Sequence, residues 1–245
     1  MRLYFAGDDG YKATNEILLR YGAKNRLESF FYLRKGNPSM QFENYLLDSG
    51  GFTARKSGVE IDIRNYIDFI NKNSIKQAFN LDTNDLNESR KNQRILMQNT
   101  DAEIVPIYHA TEREHEKTRD MLMQYIEEYN YIGISGPKRK SVRKEYKLAY
   151  FDFVFSHFDL SVRFHGLGIT TPDFLRRYSW YSVDSTTWIS IGKYGRASNL
   201  KIKQMQKYLA KGRRRNHNIE RDLPYWIGLE KTMTKYWKNR DIDYS

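Results

Sequence analysis

Short apolar runs recur along the chain, and nearly every one closes on an acid, a histidine, a hydroxyl residue or a glycine. Residues 2–6 are followed by Gly7-Asp8-Asp9-Gly10, and Tyr45-Leu46-Leu47 by Asp48-Ser49-Gly50-Gly51-Phe52. Residues 75–81 end at Asp82, residues 103–108 at His109, and residues 131–134 at Ser135-Gly136. Residues 162–164 end at His165-Gly166 and residues 181–183 at Asp184. These runs have the length and the side chains of buried strands. Ser29-Phe30-Phe31-Tyr32-Leu33, read as the second strand, brings the set to roughly eight, the number of a closed α/β barrel.

The stretches between them carry the helical period. Residues 14–21 put Ile17, Leu18 and Tyr21 on one face, with Gly22 as the stop, and residues 63–70 have apolar positions at i, i+3, i+4 and i+7. A polar helix is expected up to about residue 99, others over residues 113–129 and 141–158, and Pro172 starts a short one. Alternating strands and helices in this number predict an α/β fold, a TIM (β/α)8 barrel, with no internal repeat evident; a doubly wound sheet is the alternative. A polar end on nearly every strand favours a ring of loops around one mouth over a single crevice. Asp48 and Asp184 then arrive at the same mouth.

With 245 residues and 40% hydrophobic content the chain can bury one substantial core. The pattern changes after Trp188, so residues 1–188 are read as the barrel and residues 189–245 as a basic, aromatic-rich helical extension packed on it. The chain has 41 Lys+Arg against 30 Asp+Glu, a net charge of +11, and most of the excess falls in this last stretch. That balance favours a polyanionic partner, nucleic acid foremost, with Lys193, Arg196, Lys211, Arg213, Arg214 and Arg215 as candidate phosphate contacts. Tyr194, Tyr208, Tyr225, Trp226, Tyr236 and Trp237 are interleaved with these cations; they either stack on unpaired bases or pack on the barrel. The absence of cysteine excludes disulfides and thiolate zinc sites. The first apolar run is too short for a signal peptide and none is long enough to span a bilayer, so a cytoplasmic location without a membrane partner is expected.

Asp48-Ser49-Gly50-Gly51-Phe52 resembles the DSGG-aromatic motif of the tRNA-guanine transglycosylase superfamily. His165-Gly166-Leu167-Gly168-Ile169-Thr170 and the run from Tyr178 through Asp184 to Trp188 resemble its late glycine turn and nucleophile strand, in the form typical of short, phage-type members. The related 7-deazaguanine DNA transglycosylases exchange guanine in DNA. The resemblance implies that Asp184 is the nucleophile attacking the sugar C1′ and that Asp48 handles the base edge or its proton. It implies that Phe52 stacks beneath the base, within the turn formed with Ser49, Gly50 and Gly51, and that Ser135-Gly136 presents backbone groups to it. His109 stands where the superfamily has a base-reading glutamine, and His165-Gly166 would close the opposite wall. Either Asp82 or Asn80 takes the place of a further base-recognising acid.

Glycosidic chemistry agrees with this reading. Breaking an N-glycosidic bond builds positive charge on the sugar, which a carboxylate opposite the leaving base can trap covalently; a second displacement restores the configuration. The departing base needs a proton and the incoming one must lose one, work for a second carboxylate with a raised pKa. No metal or redox cofactor is needed. The expected function is therefore exchange of guanine in DNA for a 7-deazaguanine such as preQ0. DNA is preferred because the superfamily's cysteine-ligated zinc subdomain has no counterpart and the Pro-Thr-Arg segment after its nucleophile is replaced by Ser185-Thr186-Thr187-Trp188. A tRNA-directed transglycosylase and a non-catalytic nucleic-acid-binding barrel remain the alternatives.

Overall fold

The computed structural model describes residues 1–34, 36–109, 115–137, 143–156, 161–189 and 215–244. Nine strand segments form one all-parallel sheet: β1 (Arg2–Ala6), β2 (Asn25–Ser29), β3 (Asn44–Asp48), β4 (Gln77–Phe79), β5 (Glu103–Val105), β6 (Ile107–His109), β7 (Tyr131–Ser135), β8 (Arg163–Leu167) and β9 (Ser182–Ser185). Their order is β5-β4-β3-β2-β1-β9-β8-β7-β6. The two ends of this sheet, β5 and β6, are consecutive in the chain and are separated only by Pro106, whose missing N–H breaks the ladder. The Pro106 carbonyl still accepts from the Gly133 N–H of β7 at 2.8 Å, while Val105 accepts from the Asn80 N–H just past β4. Residues 103–109 thus bridge β4 to β7, and the sheet rolls into a nearly closed barrel of the TIM type.

Helices α1 (Lys12–Arg20), α2 (Phe30–Leu33), α3 (Gly51–Lys56), α4 (Ile63–Lys72), α5 (Leu86–Asn99), α6 (His115–Glu128), α7 (Lys144–Ser156) and α8 (Pro172–Arg177) alternate with the strands. Local chemistry sets several starts. Asp62 caps α4 by accepting from the Arg64 N–H, Asp85 caps α5 through the Glu88 N–H, and Pro172 opens α8. One apolar cluster packs β1, β7, β8 and β9 against α1, α6, α7 and α8, and a second packs β3 and β4 against α2, α4 and α5. A third fills the barrel interior with Tyr4, Leu27, Leu46, Phe79, Val105, Tyr131 and their neighbours. No helix among the described residues is long and apolar enough to cross a membrane.

The second strand corrects the sequence reading. Phe30–Leu33 is the short helix α2, and the strand is Asn25–Ser29, whose charged Arg26 and Glu28 hide it from a hydrophobicity pattern. Both side chains are fully buried and face each other at 3.1 Å. Arg26 also donates to the carbonyls of Phe5, Leu27, Gly7 and Asp8, while Glu28 accepts from the Gly10 and Ser39 N–H groups and from the Ser39 and Tyr45 hydroxyls. Ionic groups satisfied this fully can sit in a core, and here they anchor the β1–α1 loop. Tyr21 is a smaller correction: it is exposed, and Thr14 and Asn15 share the buried face of α1 with Ile17 and Leu18.

The described part of the basic C-terminal stretch is a long helix, Arg215–Lys238. It lies against α8, β1 and α1, the outer-layer place that follows the last strand of a βα barrel. Trp237 donates to the Leu175 carbonyl at 3.0 Å, Thr234 to the Met1 carbonyl at 3.0 Å, and Glu220 pairs with Arg20. Trp226 and Trp237 are buried, so for them the packing alternative holds and neither can stack on a base. Lys193, Arg196, Lys211, Arg213 and Arg214, with Tyr194 and Tyr208, lie outside the described residues, as does the side chain of Arg215.

Candidate active site

The carboxyl ends of the strands surround a cleft of about 350 Å³. Asp48 from β3, Asp82 just past β4, His109 from β6, Ser135 from β7 and Asp184 from β9 all line it. Phe52 forms part of its rim, and Leu27, Phe79, Ile107 and Leu167 form its apolar walls. The two acids singled out from the sequence, far apart in the chain, therefore face one cavity. A cleft of this size with apolar walls and a few convergent polar groups has the character of a small-molecule site.

The two carboxyl groups sit in different environments. Burial pushes Asp48 up to about 7; the nearby charges of Asp82, Asp184 and Asp9 add to the rise, and the Gly50 N–H offsets part of it. Near neutral pH it can hold or release a proton. Asp184 receives two hydrogen bonds on one oxygen, Oδ1: from the Gly168 N–H at 2.7 Å and from His165 Nε2 at 3.2 Å. Both fall on the same atom, so Oδ2 is the oxygen left for chemistry.

His165 was expected on the cleft wall. It lies behind Asp184, fully buried inside the barrel among the rings of Tyr4, Phe79 and Tyr131. Its Nδ1 is 2.8 Å from Ser182 Oγ and 3.3 Å from the Tyr131 hydroxyl, and those two oxygens are 2.7 Å apart. An ionised Asp184 requires Nε2–H as donor, which leaves Nδ1 to accept from the hydroxyl pair. Serine, histidine and aspartate in a row have the composition of a hydrolase triad. Ser182 is fully buried, however, so no substrate reaches it, and the histidine serves the aspartate. We expect His165→Leu to lower turnover about 100-fold through misplacement of Asp184, with little change in substrate affinity. Steady-state kinetics compared with binding separates the two effects; a weakening of affinity alone would contradict this role.

Asp82 is held by His109, Nε2 to Oδ2 at 2.7 Å, and by Arg55 at 3.7 Å, with a second Arg55 nitrogen on the Asp82 backbone carbonyl. Of the two residues left open in this region, Asp82 reaches the cleft, whereas Asn80 is buried and donates to the Ser89 carbonyl. Ser49 is buried beneath the turn and accepts from the Gly51 N–H at 3.3 Å. Gly50 has φ +76°, and a Cβ there would come within 2.4 Å of Phe31 and Ser29, so this turn requires glycine. Gly51 faces the neighbouring groove beside Arg55. Gly136 and Gly166 pack against Ile169 and their aromatic neighbours and are not among the groups lining the cleft.

No protein-family model and no curated protein matches this sequence. Among the described residues no three His, Asp or Glu side chains are grouped so as to hold a metal ion. Arg55 is not among the residues the sequence points to, and Gly168 is there only as part of a glycine motif. Gly168 has φ +67° and supplies the backbone donor to Asp184. Its signal was therefore present in the sequence without its role; Arg55, an ordinary helical arginine, gave none.

Proposed function

We propose that the protein is a base-exchange enzyme, a DNA-guanine transglycosylase that replaces guanine with a 7-deazaguanine through a covalent aspartyl-sugar intermediate. The observation that carries this reading is that Asp48 and Asp184 line one cleft with unlike surroundings, one fit to carry a proton and the other fixed by two donors. In the first step Asp184 Oδ2 attacks C1′ as the C1′–N9 bond breaks, and protonated Asp48 gives its proton to the departing guanine. In the second, the incoming base returns a proton to Asp48 as its nitrogen displaces the Asp184 ester from C1′. Each cycle thus restores both carboxyl groups. Phe52, half outside the cleft, is positioned to cap a bound base, and the Asp82–His109 pair offers a polar edge to it.

DNA is preferred over tRNA on sequence grounds: there is no cysteine with which to build the zinc subdomain, and the segment after the nucleophile is altered. A base stacked in a duplex cannot reach such a cleft, so the target must be flipped or already unpaired. Incubation of the full-length protein with DNA or with tRNA, each in the presence of radiolabelled guanine or a labelled 7-deazaguanine, tests the proposal. Label is expected in DNA. Label in tRNA alone would transfer the activity to RNA, and label in neither polymer would overturn base exchange.

A further inference from the structure

Four aromatic rings are markedly exposed among the described residues, and their distribution is uneven. Tyr11, Tyr32 and Phe52, at 57%, 60% and 62% exposure, follow β1, β2 and β3 at the mouth of the barrel, whereas Tyr21 lies at the far end of α1. The three segments that carry the first set approach one another closely. Gly10, beside Tyr11, sits so close to Leu33 of α2 that a Cβ there would lie 3.1 Å from its side chain, and Gly50 approaches Phe31 of the same helix more closely still. Phe31 and Tyr32 meet edge to face at 5.1 Å, and Arg34 lies over the Phe31 ring at 4.8 Å. The turns that precede Tyr11 and Phe52 thus both pack on α2, the helix that carries Tyr32. Exposed cations flank these rings: Arg34, Lys12 and Lys56. Near Tyr11, Asp8 is turned to the Thr14 hydroxyl, Asp9 to the Ser29 N–H and Glu16 to Lys12, while Glu60, Asp62 and Asp68 line a groove with Arg34 and Lys72.

We propose that Tyr11 and Tyr32 form a stacking shelf for the nucleotides flanking the target base in a single-stranded nucleic acid. This rests on the reading that a nucleotide enters the cleft. A cleft that holds one base forces the rest of the strand across the rim, and the exposed rings lie on the β1–β3 side of that rim. Exposed rings beside guanidinium and ammonium groups suit unpaired bases, whose faces are free, and do not suit a duplex, whose base faces are hidden. The Trp226 and Trp237 rings, the strongest stacking candidates by residue type, are buried and unavailable.

The test is fluorescence anisotropy of the full-length protein with a labelled oligothymidylate, alone and paired with oligodeoxyadenylate, across a salt series. Tyr11→Ala and Tyr32→Ala are each expected to weaken single-strand binding about tenfold, with the slope of log affinity against log salt unchanged, and Tyr32→Phe is expected to retain binding. Circular dichroism spectra that match the parent exclude misfolding of the variants. The shelf is overturned if the parent does not bind oligothymidylate. It is equally overturned if the double alanine variant binds within twofold of the parent, or if duplex binding falls as far as single-strand binding. The probe contains no guanine and undergoes no exchange, so this outcome is independent of whether DNA takes up label. Ring-dependent binding without label would leave the shelf standing and remove the enzyme.

Discussion

Asp184→Asn is expected to abolish base exchange, with a loss of about 10⁴-fold or more, while leaving the barrel folded. Asparagine keeps an oxygen to accept from the Gly168 N–H and His165 Nε2, so the hydrogen bonds that fix this side chain survive. It lacks the second anionic oxygen that would bond to C1′. Asp184→Ala should be equally inactive, but it strands two donors, one of them on a fully buried histidine, at a cost of about 1–3 kcal/mol. The pair of variants therefore separates chemistry from stability. The decisive measurement is denaturing electrophoresis of protein incubated with guanine-containing DNA and no incoming base. The parent should trap a covalent protein–DNA species and Asp184→Asn should not. Exchange at the parental rate in Asp184→Asn would eliminate the covalent route through Asp184, whereas a parent that forms neither adduct nor exchanged product would be a cationic barrel that binds nucleic acid without reacting with it.

The parts of this site that could be read in the sequence were those built into a single strand and the turn after it. An apolar run ending in an acid gives the strand, its direction and the end on which the acid sits, because parallel strands in a barrel share one mouth. Asp48, Asp82, His109, Ser135 and Asp184 all arrived at the cleft for that reason. Contacts that join different elements could not be read in this way. His165 Nε2 on Asp184 and Nδ1 on Ser182 depend on the register that sets Ser182 opposite His165 across β8 and β9. Arg26 and Glu28 misled the strand assignment because a buried ion pair looks like surface in a hydropathy pattern. The four consecutive apolar residues Phe30 to Leu33 looked like a strand although they turn as a helix, packing Phe30 and Leu33 inward and leaving Tyr32 exposed. Trp226 and Trp237 could not be assigned from sequence for the converse reason, since aromatics among cations have the same composition whether they face a base or a core.

Asp48→Asn is expected to change how both activity and stability depend on pH. The carboxyl ordinarily titrates near 3.8, but in the folded protein burial and the neighbouring carboxylates hold its proton up to about pH 7. Between these two values the unfolded chain has released the proton while the folded one retains it. The folded state binds more protons, so stability falls as pH rises through this window and levels off above about 7. Asparagine cannot ionise, and its variant should lack that decline, gaining about 4 kcal/mol relative to the parent at pH 8 compared with pH 4. Urea titrations at the two pH values measure the difference, and equal pH slopes in parent and variant would contradict the assignment. Activity should follow the same proton in a different sense. Release of guanine draws on protonated Asp48, so the parental rate of adduct formation should fall about tenfold per pH unit above about 7. Asp48→Asn should lose that limb along with roughly 10²–10⁴-fold of the rate. A variant that kept the parental rate and its alkaline limb would show that the proton comes from elsewhere in the cleft. The Asp82–His109 pair would then be the first place to look, because Asp82 is the remaining carboxyl group that lines the cleft.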